Sequence, residues 1–220
     1  MTGIEAGVRR TGAQTREEIL RVALQLFTEK GYESTSTRDI GEALGITKPA
    51  LYYHFRNKED IVASLIAERR DELAEFICWL DRQDPSPDLL ERAAIRWIES
   101  TTPERLQLML LAQANQPILR RMVDSGDDIR SGFSEVIRRF TSPSTSVRDR
   151  LLIRMTFDTV GAALLAANGS SEDHRTVVSA AIVATRSLAR TLRQASLLES
   201  SDGEASPDVV NISSAPGESA

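Results

Sequence analysis

An all-α fold is what this 220-residue sequence predicts, and three features predict it. Leu, Ala, Arg and Glu recur at three- and four-residue spacings, the period of a helix with one buried face. Val, Ile and aromatic residues rarely alternate with polar ones, so the period-two pattern of a half-buried strand is missing. Thr, Ser, Asn or Asp stands ahead of successive apolar-periodic runs, and Gly or Pro follows them, which is the punctuation of helix starts and stops. At 41% hydrophobic and 27% charged residues, the chain has the balance of a globular protein that buries a core.

Residues 1-14 contain Gly and little pattern and read as a flexible arm, with Arg9 and Arg10 free to meet a polyanion. Thr15 with Glu18 forms a capping box, and Ile19, Val22, Ala23, Leu26 and Phe27 make one apolar stripe until Lys30-Gly31, predicting a first helix over 16-30. Ser36 and Thr37 open a second helix that turns Ile40, Ala43 and Leu44 inward, and Gly45 supplies a left-handed turn. Thr47 caps a third, with Pro49 in its first turn and His54-Phe55 at its end, which is helix-turn-helix spacing. Asn57 caps a fourth, Glu59 and Asp60 suit its positive N-terminus, and Pro85 and Pro87 stop it near residue 82.

A second region follows, with Asp88 as the cap of a fifth helix whose buried face is Leu89, Leu90, Ala93, Ala94, Trp97 and Ile98. Thr102-Pro103-Glu104 starts a sixth, through Gln113, and Pro117 breaks it. A turn or two from Ile118 to Val123 and a bend at Gly126 lead to a seventh carrying Ile129, Phe133, Val136, Ile137 and Phe140. The eighth, about 147-167, is apolar nearly all round in its second half. The ninth, about 173-195, places Val178, Ala181, Thr185, Leu188 and Leu192 at helical steps. Gly161, Ala162, Ala163, Ala166, Ala180, Ala181 and Ala184 are small enough to let helices approach closely. From about 197 the chain is acidic and Ser-, Gly- and Pro-containing and reads as disordered.

The net charge of -5 is located in that tail, because residues 1-196 hold 27 basic and 27 acidic side chains. The folded part is neutral, and local basic patches remain free to bind phosphate. Cys78, the single cysteine, sits in an apolar run and reads as a small buried residue in a reducing cytoplasm. No apolar run ahead of residue 19 resembles a signal segment, and Thr159 to Ser171 is shorter than the ~20 residues of a spanning helix. Neither membrane insertion nor catalysis is expected: the chain has no glycine-rich phosphate loop, no paired His and Cys and no Ser-centred elbow.

The run from Thr35 to Glu59, TSTRDIGEALGITKPALYYHFRNKE, is the most specific feature. A helix that enters a major groove carries its donors in its first turns, where base edges come within reach. Lys48, Ala50 and Tyr53 occupy that end: Lys48 suits guanine O6 or N7, Ala50 a thymine methyl, and Tyr53 a base or a phosphate. Phe55 is expected in the small core with Ile19, Phe27, Ile40, Leu44 and Leu51, whereas Tyr52 reads as either core or phosphate ligand. His54 lacks companions for a metal site, since His174, the other histidine, lies in a different region.

This run, with the first helix, resembles the TetR family signature over residues 15 to about 62; beyond that the resemblance is one of layout. It implies a DNA-binding domain at 15-60 and an effector-binding and dimerisation domain at 61-196, with the fourth helix shared as the mechanical link and an acidic tail at 197-220. It places Thr37, Arg38, Tyr52, His54 and Lys58 at positions that clamp DNA phosphates. It implies a small-molecule effector pocket, for which Trp79, Trp97, Met109, Gln113, Met122 and Phe133 are candidates, with Asn115 and Gln116 to orient a polar group; each also reads as plain core. It further implies a homodimer through about 147-195, holding two recognition helices ~34–36 Å apart on a palindromic double-stranded operator. A cytoplasmic repressor without a cofactor follows from the resemblance; a transcriptional activator or a less specific nucleoid-type DNA-binding protein are the alternatives.

Overall fold

The computed structural model describes residues 11–115, 129–167 and 173–202, without the side chains of 129–131 and 196–202. Among them lie nine helices and no strand: α1 Gly12–Lys30, α2 Thr37–Leu44, α3 Lys48–His54, α4 Lys58–Leu80, α5 Leu89–Glu99, α6 Pro103–Ala114, α7 Ile129–Arg138, α8 Val147–Ala166 and α9 His174–Asp202. The first ten residues, the turn expected at Ile118 to Val123 and the tail beyond Asp202 lie outside the described residues.

Capping chemistry sets most boundaries. Ser36 and Asp39 form a reciprocal box at the start of α2, Thr47 caps α3, Asn57 caps α4, Thr102 caps α6 and Ser146 caps α8. Each satisfies an amide that the first helical turn leaves without an intrahelical partner. Two starts differ from expectation. The cap of α1 is Thr11, whose hydroxyl accepts from the Gln14 amide while the Gln14 side chain accepts from the Thr11 amide. The same box grammar therefore recurs four residues ahead of Thr15, absorbs residues 12-14 of the expected arm, and leaves Thr15 bonding back to the Thr11 carbonyl. Asp88 precedes α5 but caps nothing through its side chain, because its carboxylate turns to Arg92, 3.0 Å away. At the other end of the chain α9 runs on to Asp202, past the expected disorder at 197, since Leu197, Leu198 and Glu199 are good helix formers.

Three apolar clusters organise these helices. The first joins Ile19, Leu20, Ala23, Leu24 and Phe27 of α1 to Ile40, Leu51, Phe55, Ile61, Val62 and Leu65, and admits Leu111 of α6. The second centres on Phe76, Trp97, Val136, Ile153 and Phe157. The third joins Ile98 and Leu106 to Val160, Leu164, Val177 and Ala181. Burying each of the large side chains stabilises the fold by about 1.5–3 kcal/mol. Within α2, Ala43 is exposed and Gly41 is buried in its place, so the inward stripe is narrower than expected. Cys78 is exposed, not buried, because the inward face of α4 passes through Leu73, Phe76 and Leu80, and position 78 falls outside that stripe.

Helices α8 and α9 pack antiparallel, with Leu164 sharing a cluster with Val177 at one end and Ile153 sharing one with Leu192 at the other. Between those ends the buried Thr159 and Thr185 hydroxyls lie 2.8 Å apart, and Thr185 donates to the Thr156 carbonyl. These bonds satisfy groups that would otherwise be orphaned in an apolar seam. Arg139 grips Asp81 with two nitrogens, and Arg193 reaches Glu91, tying α7 to the end of α4 and α9 to α5.

Gly45 ends α2 at φ +64 and ψ 28, and a Cβ there would meet nothing within 4 Å. The cost of a side chain at this turn is therefore conformational alone. Gly45→Ala is expected to lose about 1–2 kcal/mol, read as a lower urea midpoint with an unchanged slope; an unaltered midpoint would contradict the left-handed turn.

Candidate nucleic-acid interface

The three-helix unit α1–α3 presents α3 outward. Only Leu51 and Phe55 anchor this segment, 1% and 3% exposed, while Lys48, Pro49, Ala50, Tyr52 and Tyr53 face solvent. The Thr47 hydroxyl accepts the Ala50 amide and Phe55 closes the helix through its bond to the Leu51 carbonyl. A seven-residue helix held by two buried side chains and a cap at each end makes a short rigid projection. Tyr53 is 84% exposed, an aromatic ring left in water that makes its ring contact edge-on with His54, centroids 5.1 Å apart.

Three of the expected DNA ligands meet on one edge. The Tyr52 hydroxyl stands 3.4 Å from the Thr37 hydroxyl, which joins α3 to the start of α2, and the Lys48 ammonium lies 5.5 Å over the Tyr52 ring. Tyr52 is thus 42% exposed and not part of the core. Arg38 extends into solvent and pairs with Glu42 at 2.7 Å, which pushes its pKa up. Such an exposed pair contributes little to stability, so trading the carboxylate for a phosphate is cheap. His54 is half-buried, and its Cε1 lies 4.0 Å from where a Cβ on Gly12 would sit, so the end of α3 adjoins the start of α1.

Lys58 points elsewhere. Its side chain is 20% exposed, its ammonium donates to the Tyr32 carbonyl at 2.9 Å, lies 4.2 Å over the Tyr32 ring and stands 3.6 Å from Glu33. That geometry pins the start of α4 to the turn after α1. Tyr32 itself donates its hydroxyl to Glu59, and burial followed by that carboxylate holds its pKa above the usual phenol range.

The residues considered for an effector pocket divide between two clusters. Trp97 contacts Phe76 and Phe133 at 5.2 and 5.1 Å, Phe133 contacts Phe157, and Trp79 stacks on Phe76 beneath the Arg96 guanidinium. Met109 instead packs with the third cluster beside Gly161. Gln113 is half-buried on α6, Asn115 spends its side-chain amide on the Leu111 carbonyl as an end cap, and Met122 and Gln116 lie outside the described residues.

Sequence reasoning missed a charged group between these clusters. Arg69 of α4 stacks 3.8 Å over the Trp97 ring and pairs with Glu72 at 3.1 Å, and Glu72 also pairs with Arg105 of α6. The signal was present: Arg69 falls on the stripe Leu65, Leu73 and Phe76, a cation where the helical period calls for an apolar side chain. Among the described residues no group of three His, Cys, Asp or Glu side chains could hold a metal, and no helix is long and apolar enough to cross a membrane.

Phe55 and Tyr53 allow a stability test of this placement two positions apart. Phe55→Ala is expected to cost about 3–5 kcal/mol, and Tyr53→Ala less than about 0.5 kcal/mol. Equal losses in urea unfolding would show that α3 is not mounted in this way.

Comparison with known proteins agrees with the geometry. Residues 19–65 match the family model of bacterial regulatory proteins, tetR family. The chain is 33% identical over 100 residues to the HTH-type transcriptional regulator AcrR of Shigella flexneri, covering 44% of this chain and 46% of that protein. It is 29% identical over 145 residues to the HTH-type transcriptional repressor BepR of Brucella suis, covering 60% and 69%. The match therefore spans about half the length of the first relative and over two thirds of the second. The solved structure of the ketosteroid transcriptional regulator KstR2 of Mycobacterium tuberculosis superposes with a TM-score of 0.57 at 20% identity, over 86% of this chain and 97% of that one, which extends the likeness in fold to the C-terminal helices. A helix-turn-helix unit that matches the tetR family of bacterial regulatory proteins in sequence over residues 19–65 is thus joined to a helical body that resembles solved regulators of that family in fold.

Proposed function

We propose that this chain is a transcriptional repressor that binds a palindromic operator as a homodimer and is released by a small-molecule effector. The observation that carries the reading is α3: a capped, rigid helix with Lys48, Ala50 and the solvent-exposed Tyr53 on its free face, flanked by the Thr37–Tyr52 hydroxyl pair. Lys48, Ala50 and Tyr53 are the base-reading residues in this proposal, and Thr37, Arg38, Tyr52 and His54 position the backbone. Lys58 contributes indirectly by fixing the start of α4.

Dimerisation is supported by the outer faces of α8 and α9. Val147, Leu151, Met155, Leu165 and Val183 are each more than half exposed, with Ala162, Ala166, Ala180 and Ala184 among them. Leu151, Met155, Asp158, Ala162 and Leu165 follow at alternating four- and three-residue steps, the spacing of a helix-packing seam. A second copy covering these faces about a twofold axis would present two recognition helices to successive turns of one duplex face. The name of the relative BepR, a repressor, favours repression over activation. Effector binding between α4 and α6 would tilt both, and linkage requires the operator to weaken effector binding by the same factor.

Selection of bound duplexes from a random pool is expected to return a palindrome whose half-sites are centred about 10 base pairs apart or a multiple of that; recovery of unrelated sequences with a steep salt dependence would favour a nucleoid-type protein. On the selected site, Lys48→Ala is expected to remove about 1–3 kcal/mol of discrimination at one base position per half-site, and an unchanged base profile would reject that contact. Leu151→Glu with Leu165→Glu is expected to yield monomers in sedimentation and to weaken operator binding, while an intact dimer would move the interface elsewhere.

A further inference from the structure

Two guanidinium groups share one carboxylate in the middle of the C-terminal body. Arg69 and Arg105 have side chains 17% and 18% exposed, and Glu72, 36% exposed, is the anion paired with both. Among the described residues, one positive charge is therefore in excess at a site largely removed from water. Arg105 Nη1 is buried and has no hydrogen-bond partner among the described residues. Burial pushes the Arg69 pKa down to about 10, against the pull of Glu72. A desolvated cation with an unmet donor is costly, and folded proteins keep one where an ion or ligand completes it.

The surroundings say what kind of ligand completes it. The Arg69 guanidinium stands 3.8 Å over the Trp97 indole, and Trp97 belongs to a ring cluster with Phe76 and Phe133. Among the described residues, Arg16 of α1 and Glu68, one turn earlier on α4, pair with each other, so they do not offset the two guanidinium groups. A guanidinium fork matches the paired oxygens of a carboxylate or phosphate, and the Phe76, Trp97 and Phe133 rings give the site an apolar wall. We infer that the effector of this protein is an amphipathic organic acid whose oxyanion headgroup is bound by Arg105, with Arg69 and Trp97 beside it. The inference rests on the proposed effector-responsive reading and narrows its ligand to a chemical class.

The test uses three probes with the same tail on the full-length protein: decanoate, decyl phosphate and decanol, all below their aggregation concentrations. Calorimetric titration is expected to show at least one acid binding about ten- to a hundredfold more tightly than the alcohol, the size of one charge-assisted hydrogen-bond pair. Which acid wins distinguishes a carboxylate from a phosphate headgroup. Arg105→Met and Arg105→Gln are expected to erase the preference for acid, with the thermal midpoint of the free protein unchanged or raised, because Glu72 keeps Arg69 as its partner. Equal binding of acid and alcohol, no binding of either acid, or full retention of the acid preference in both variants would overturn the inference. A separate operator-release assay keeps the two readings apart: acid binding through Arg105 that leaves the operator complex intact supports the site and rejects the effector role. Release by uncharged compounds alone, without acid binding, retains effector control and rejects the site.

Discussion

The core of the N-terminal unit is not closed by its own helices. Leu111 of α6, 4% exposed, belongs to the same cluster as Phe27, Leu51 and Phe55, and Leu108 packs against it from one turn earlier. Close-packed interiors transmit displacement because they leave no slack in which a side chain can move freely. Any shift of α6 along or away from α1 must therefore either open space beside Phe27 or carry the three-helix unit with it. Helix α4 makes the second tie, since Ile61, Val62 and Leu65 belong to that core while Leu73, Phe76 and Leu80 belong to the next.

Polar contacts reinforce these two ties at different heights. Arg16 of α1 donates to Ser64 and pairs with Glu68, both on α4, while its guanidinium lies over the Phe55 ring, so one side chain touches the last buried residue of the α3 segment and the helix behind it. One turn further along α4, Glu72 joins Arg69 to Arg105 of α6. The relative position of α4 and α6 is thus set by an apolar contact at Leu111 and by a charged one at Glu72. The charged contact is the softer of the two, because its energy falls slowly with distance while packing is lost within an ångström. A device that moves α4 against α6 has its adjustable joint at the charges and its rigid linkage at the leucines.

Much of this was legible from residue order. The starts of α2, α3, α4 and α6 are written in Ser36, Thr47, Asn57 and Thr102, because a cap is a local bond between residues three apart. Exposure on α3 was legible for the same reason: its two anchors, Leu51 and Phe55, are one turn apart and the rest of the helix is left over. Surroundings that residue order does not show depend on neighbours distant in sequence. The partners of Lys58 come from the turn at Tyr32 and Glu33, which folds back on it. Cys78 reads as buried because its neighbours Phe76, Ile77 and Trp79 are apolar, yet the α4 face that packs is set by α5 and α7. The Arg69–Glu72–Arg105 group joins residues more than thirty positions apart, and local periodicity shows only that Arg69 breaks a stripe, not what waits opposite.

The two long C-terminal helices show how a polar seam and an apolar face divide their work. Between α8 and α9 the shared hydroxyls of Thr159 and Thr185 fix register, since sliding either helix by a turn would strand two buried oxygens. On the outside no such bond is made, and the stripe from Leu151 to Leu165 offers only shape and apolar area, interrupted by Asp158. Burial pushes the Asp158 pKa up, with Arg154 one turn away opposing it. An interface formed over that stripe would have to accommodate such a carboxylate from each copy, and like charges repel most strongly where water is excluded. Register within the chain is thus held by uncharged hydroxyls that suit only one alignment. Association of the proposed pair would rest on apolar burial, opposed by the carboxylate on the contact stripe.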